Sequence, residues 1–86
     1  MNTHELKCWP GPFQALIQGD KRFEFRKNDR GFKLGDKLVL REYDPLKAGY
    51  TGIVAVVNVT FILESGFGLP EEYCIMSIRI ERIEVW

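Results

Sequence analysis

A mainly β (α+β) fold, curled into a small barrel of five strands with one short helix near the N-terminus, follows from three features of this chain. Two long segments, 53–63 and 73–86, are rich in β-branched residues, which pack well on a pleated surface. Three shorter segments place apolar residues two apart, the period of a half-buried strand. One stretch alone, 13–18, spaces its apolar residues at i, i+3 and i+4, the period of a helix. With 86 residues there is room for one domain, 1–86, and a domain this small must commit nearly every apolar segment to a single core.

Residues 4–8 form a short strand with Leu6 and Cys8 on one face. Pro10 and Pro12 then suit a turn and a helix start, because proline lacks the donor that a first helical turn leaves unpaired anyway. Phe13, Leu16 and Ile17 make the buried stripe of the helix, and Gly19 is placed to be the left-handed residue that ends it. In 23–27 the alternation predicts Phe23 and Phe25 inward, with Arg22, Glu24 and Arg26 outward or toward a groove. Gly31 and Gly35-Asp36 bracket a loop, and 37–43 is the next strand, with Leu38 and Leu40 on one face. Asp44-Pro45 through Gly52 reads as a long hairpin connection. The strand 53–63 is apolar on both faces at its start, so it is expected to be buried on both sides. Residues 64–72, with Gly66, Gly68 and Pro70, are a loop long enough to cover a pocket. In the last strand Cys74, Met76, Ile78 and Ile80 share a face, and the apolar phase then slips to Ile83 and Val85, as a bulge near Glu81 would cause. Closure of the barrel would remove exposed sheet edges.

Formal net charge is zero, yet residues 1–47 hold ten Lys/Arg against seven Asp/Glu while 48–86 hold two against five. This asymmetry permits a basic face on a neutral protein. The zero net charge argues against a non-specific nucleic-acid coat protein, whose affinity rests on summed phosphate neutralisation. The N-terminus lacks the apolar core of a secretory signal, and no run approaches the length of a membrane span, so a cytoplasmic protein with no membrane partner is expected. In that compartment Cys8 and Cys74 are expected as buried thiols rather than a disulfide.

Chemistry concentrates just past Gly19, at Lys21, Glu24 and Arg26. Glu24 and Arg26 lie two apart on a strand and can hold each other's orientation, and Lys21, close to the helix end, can reach over the barrel mouth. A lysine partly desolvated beside other cations is also a candidate base. Arg26, Lys27, Arg30 and Lys33 can bracket a phosphate, and Trp9, Phe32, Tyr43, Tyr50 and Phe67 can supply a stacking surface for a base. With one histidine, His4, and two isolated cysteines, the chain offers neither a structural zinc motif nor a nucleophile–histidine pair away from the N-terminus. No metal and no cofactor is implied.

The run L-K-C-W-P followed by G-D-K-R-F-E-F-R-K, then Gly35-Asp36, K-L-V-L and the F-G-L-P loop, resembles the ASCH branch of the PUA-like superfamily, in particular its small bacterial and phage members. The resemblance implies a pseudo-barrel of five to six strands with a helix over one end, and a cleft that accommodates RNA or a nucleotide. It places Lys21, Glu24 and Arg26 along that cleft, with Lys7 and Trp9 entering from the first strand. Some small family members are amidohydrolases that act on N4-acylated cytidine through a lysine, a threonine and a glutamate. This chain has Lys21 at the lysine position and Glu24 where the threonine falls, with Glu64 and Glu71 as options for the distal glutamate. An RNA- or nucleotide-binding domain is therefore expected, with the amidohydrolase, using Lys21 as base, as the alternative. A phage-type protein that blocks a host partner is a third possibility, in which these cleft residues would be dispensable.

Overall fold

A computed structural model describes residues 1–86. The elements run β1 (Thr3–Cys8), α1 (Pro10–Ile17), β2 (Phe23–Lys27), β3 (Lys37–Asp44), β4 (Gly49–Leu63) and β5 (Tyr73–Val85). Strands account for 55% of the chain, and all five belong to one curled half-barrel sheet ordered β1-β3-β4-β5-β2. Strand β1 runs parallel to β3, and the other three pairs are antiparallel. No helix is long and apolar enough to cross a membrane.

The helix begins three residues earlier than its apolar stripe, because Pro10 and Pro12 are both accommodated in the first turn. Phe13 and Leu16 are buried in a 13-residue core with Leu6, Cys8, Leu38, Leu40, Val57, Cys74 and Met76 among its members. Gly19 follows at φ +86°, and the N–H groups of Gln18, Gly19, Asp20 and Lys21 return to the carbonyls of Gln14, Ala15 and Leu16, which satisfies three of the last four carbonyls of α1. The core thus ties α1 to the inner face of the sheet on the approach to β2.

Two bulges curl the sheet. Opposite the Val56–Val57 step of β4, Arg82 and Ile80 pair while Glu81 is left over, which is the phase slip expected from the sequence. Thr60 is left over in the same way between Val59 and Phe61. The four residues 54–57 are buried on both sides of the sheet, as expected: Ala55 and Val57 face the main core, while Val54 and Val56 join Val39 in a second cluster on the outer face. The hairpin connection is shorter than expected. Pairing resumes at Tyr43–Tyr50 and Asp44–Gly49 beyond an irregularity opposite Glu42, where Gly52 takes φ +92°.

Closure differs from the expectation too. The edge strands β1 and β2 are not paired to each other through their backbones. Two arginines bridge them instead: Arg26 Nη2 donates to the Lys7 carbonyl (2.8 Å) and Arg30 Nη1 donates to the Glu5 carbonyl (2.6 Å). These carbonyls belong to the free side of a parallel-paired edge, and charged donors satisfy them as a neighbouring strand would. The seam between the edges is therefore held by side chains and remains open as a cleft.

A second fixture orders the long β2–β3 connection. Asp36 accepts from the Asn2 N–H (3.0 Å), the Lys33 N–H (3.1 Å) and His4 Nε2 (2.9 Å). Burial works to raise its pKa, but these donors outweigh it, led by the Asn2 amide, and hold the carboxyl below its usual range. Phe32, offered by the sequence as a stacking surface, is instead buried in the core with the His4 ring packed edge-on against it at 4.8 Å.

A charged cleft at the open seam

The register of β2 against β5 decides which way its side chains point. Glu24 pairs with Met76 and Arg26 with Cys74, and directly opposed residues of an antiparallel pair share a face. Met76 and Cys74 are fully buried, so Glu24 and Arg26 turn inward with them. Phe23 and Phe25 go to the other face, where each is about half exposed. The expected parity of this strand is thus inverted. Two aromatic residues misled the pattern because one edge strand of five residues can bury an ionic pair when a cation on each side compensates it.

Glu24 is only 3% exposed. Its carboxylate accepts from Lys21 Nζ on one oxygen and from Arg26 Nε on the other (2.9 Å). Lys21 also donates to the Phe23 carbonyl (2.6 Å), and Arg26 continues across the seam to β1. Lys21 reaches this position from the turn before β2, folding back over three residues, and not through strand parity. A buried carboxylate is costly unless paired and hydrogen-bonded, and here both oxygens are served.

These groups floor a cleft of about 300 Å³ lined by Lys7, Cys8, Trp9, Pro12, Lys21, Phe23, Glu24, Phe25 and Arg26. Three cations face one carboxylate, so the cleft is electropositive around an acidic floor. Trp9, 51% exposed, forms one wall and meets the Tyr43 ring edge-on at 6.0 Å. Lys7 Nζ lies 4.1 Å from the centre of that same ring.

Of the predicted site residues, Lys7, Trp9, Lys21, Glu24 and Arg26 come together in this cleft. Lys27 and Arg30 do not. They flank a smaller hollow of about 180 Å³ with Asp29 and Phe32, where Arg30 is engaged in the seam and Lys27 lies 3.9 Å from Glu72. Only Arg26 borders both spaces. Neither distal glutamate is at the cleft: Glu64 accepts from Asn28 Nδ2 (3.2 Å), and Glu71 is exposed on the loop. Tyr50 and Phe67 are exposed but lie outside the cleft lining.

One buried network escaped the sequence. Glu42, 5% exposed, accepts from Gln14 Nε2 (3.0 Å) and from the Thr51 hydroxyl (2.8 Å). The signal was present, because Glu42 continues the inward parity of Leu38 and Leu40. Glu42 also pairs with Cys8 across β1 and β3. Burial pushes the Cys8 thiol up to about 11, with Glu24 and Glu42 adding to the shift and Lys21 and Arg26 opposing it. Burial, with Glu64 nearby, likewise raises Cys74. Both cysteines are free and buried, and a thiol so disfavoured as thiolate is not a nucleophile at neutral pH. His4 is committed to Asp36, away from the cleft. No group of three or more His, Cys, Asp or Glu side chains is positioned to hold a metal ion.

Fold and cleft together define a small curled half-barrel whose open seam carries a clamped, buried carboxylate. The chain belongs to the family described as "Domain of unknown function (DUF3850)", whose model matches residues 3–78. It is also similar to the "Uncharacterized 12.9 kDa protein in GpA 3'region" of Escherichia phage P2, with 33% identity over 73 residues that cover 85% of this chain and 64% of the phage protein. The chain thus spans slightly less than two thirds of that relative's length.

Proposed function

We propose that this chain is an ASCH-type member of the PUA-like superfamily that binds RNA or a nucleotide in the seam cleft, in the cytoplasm. The observation that carries this reading is Glu24, a carboxylate buried at the floor of an electropositive cleft between an exposed tryptophan and two cations. An ionic group of this kind contributes little net stability over a well-packed apolar one, so its presence at a concave opening points to recognition. Its remaining lone pairs can accept from an exocyclic amino group of a base, as carboxylates do with cytosine. Lys21, Lys7 and Arg26 supply donors for base carbonyls and phosphate, and stacking on Trp9 would contribute about 1–3 kcal/mol. The two buried free thiols are in keeping with a reducing compartment.

Titration of nucleosides and short RNAs at two salt concentrations tests this. Saturable binding that weakens with Lys21→Ala and Arg26→Ala is expected. The proposal fails if no binding saturates, or if both variants bind as the parent does.

Hydrolysis of N4-acylated cytidine is the second reading, favoured by the direct contact of Lys21 with Glu24, an ammonium and a carboxylate able to relay a proton. Against it, Lys21 is engaged as a donor to two acceptors, and neither Glu64 nor Glu71 joins it. Release of acetate from N4-acetylcytidine, abolished by Lys21→Ala, would decide for the enzyme.

A further inference from the structure

Lys21 separates two clefts. The second, which Glu24 does not line, is larger, about 480 Å³, and brings Leu16, Arg22, Thr60, Ser77, Ile78 and Arg79 together with Lys21. Its charge differs in kind from the first: it contains Lys21, Arg22 and Arg79 and no carboxylate at all. Five of the chain's six arginines are engaged with carboxylates or backbone carbonyls, whereas Arg79 makes neither an ion pair nor a hydrogen bond. Arg22 is anchored only through Nε, which donates to the Gly19 carbonyl (3.0 Å), so both of its terminal nitrogens are uncommitted.

The surroundings suit an anion. Thr60 is the residue extruded by the β4 bulge, and bulges re-aim side chains at sites of this kind. Its hydroxyl donates to the Ser77 carbonyl (3.3 Å), while the Ser77 hydroxyl has no partner. Leu16 and Ile78, both buried, give the cleft an apolar floor, and the two guanidinium groups that line it are exposed and open to a ligand. Guanidinium matches phosphate oxygens in a bidentate fashion.

We propose that this second cleft is a phosphate subsite, with Arg22 and Arg79 as its ligands and Ser77 as a hydroxyl donor. The ligand then straddles Lys21, its base over Glu24 and its phosphate between the arginines. This inference rests on the nucleotide reading of the first cleft, and it specifies a phosphorylated ligand over a nucleoside.

The test compares cytidine, cytidine 5′-monophosphate, the dinucleoside monophosphate CpC and inorganic phosphate, by isothermal titration and by amide shifts in ¹⁵N-labelled protein. The monophosphate or CpC is expected to bind at least about tenfold more tightly than cytidine, and whichever gains more identifies a terminal or a bridging phosphate. Arg79→Gln and Arg22→Gln should each bring the phosphorylated ligand toward the affinity of cytidine. Equal affinities in the parent, or an advantage that survives both substitutions, overturns the proposal. If no nucleoside or nucleotide binds but inorganic phosphate shifts Arg22 and Arg79, the base cleft is refuted and the anion site stands. If phosphate shifts neither, the anion site is refuted as well.

Discussion

Replacing Arg26 by alanine should loosen the barrel and the cleft together, since one side chain serves both. Its Nε bond to a buried carboxylate belongs to the charge-assisted class, worth about 1.5–3 kcal/mol, and its Nη2 bond to the Lys7 carbonyl adds about 1 kcal/mol. The side chain is 28% exposed, so water partly compensates, and Lys21 remains to neutralise Glu24. A net loss of about 2 kcal/mol follows. For a domain of this size that lowers Tm by about 8–16 °C. Thermal unfolding followed by circular dichroism measures it, with Arg26→Lys as the control that keeps charge but loses the fork, expected to recover only part of the loss. A double-mutant cycle with Glu24→Gln should give a coupling of at least about 0.5 kcal/mol. Opening of the seam should also speed the reaction of the adjacent Cys8 with a thiol reagent. A Tm within about 2 °C of the parent, with Cys8 no more reactive, would refute the claim that Arg26 bridges the seam.

Four further outcomes are expected. The folded-state pKa of Asp36 is lowered, so its stabilisation is complete above the unfolded value near 3.8 and disappears as pH falls through the folded value; Asp36→Asn should be less stable than the parent at pH 6 by about 1–3 kcal/mol, with the difference shrinking in acid unfolding titrations below pH 3.8. With the Cys8 thiol raised to about 11 and Cys74 buried and raised as well, both cysteines should be unreactive at pH 8 until denaturant is added, and rapid native labelling would contradict their burial. Gly52→Ala places a Cβ 2.9 Å from the Trp86 carbonyl at φ +92°, so a loss of about 1–3 kcal/mol is expected in thermal melts, against little change for Gly11→Ala, where space is open. Nucleotide binding should quench Trp9 fluorescence, and Trp9→Phe should remove the signal while leaving that of Trp86.

Much of the fold was legible because period and punctuation agreed. The β-branched run 53–63, the stripe Phe13–Leu16–Ile17 and the phase slip at Glu81 each came from one local rule, and tertiary packing did not override it. Strand β2 failed for a physical reason. In five residues, Phe-Glu-Phe-Arg-Lys, hydrophobicity alone points the phenylalanines inward, but the direction is set by pairing with Met76 and Cys74, about fifty residues away. Lys21, Glu24 and Arg26 were legible as a cluster through their spacing, whereas the burial of Glu24 required the register. Lys27 and Arg30 look equivalent to Arg26 in sequence but diverge in space: Lys27, next to Arg26 on β2, takes the opposite face, and Arg30 follows the point where the chain leaves the strand at Asn28, whose N–H turns back to the Glu72 carbonyl (2.6 Å). The Gln14–Glu42–Thr51 network joins three elements and could be anticipated only at Glu42, from the parity of β3. Phe32, expected on a stacking surface, lies in a loop where no period distinguishes core from surface.

Amide and side-chain shift mapping with a nucleotide titrated into labelled protein bears most directly on the idea that the unpaired seam of this sheet is a recognition cleft. Saturable shifts confined to Lys7, Trp9, Lys21, Glu24, Arg26 and the neighbouring arginine cleft are the predicted result. Saturable shifts centred elsewhere on the sheet, or none up to millimolar nucleotide, would contradict it.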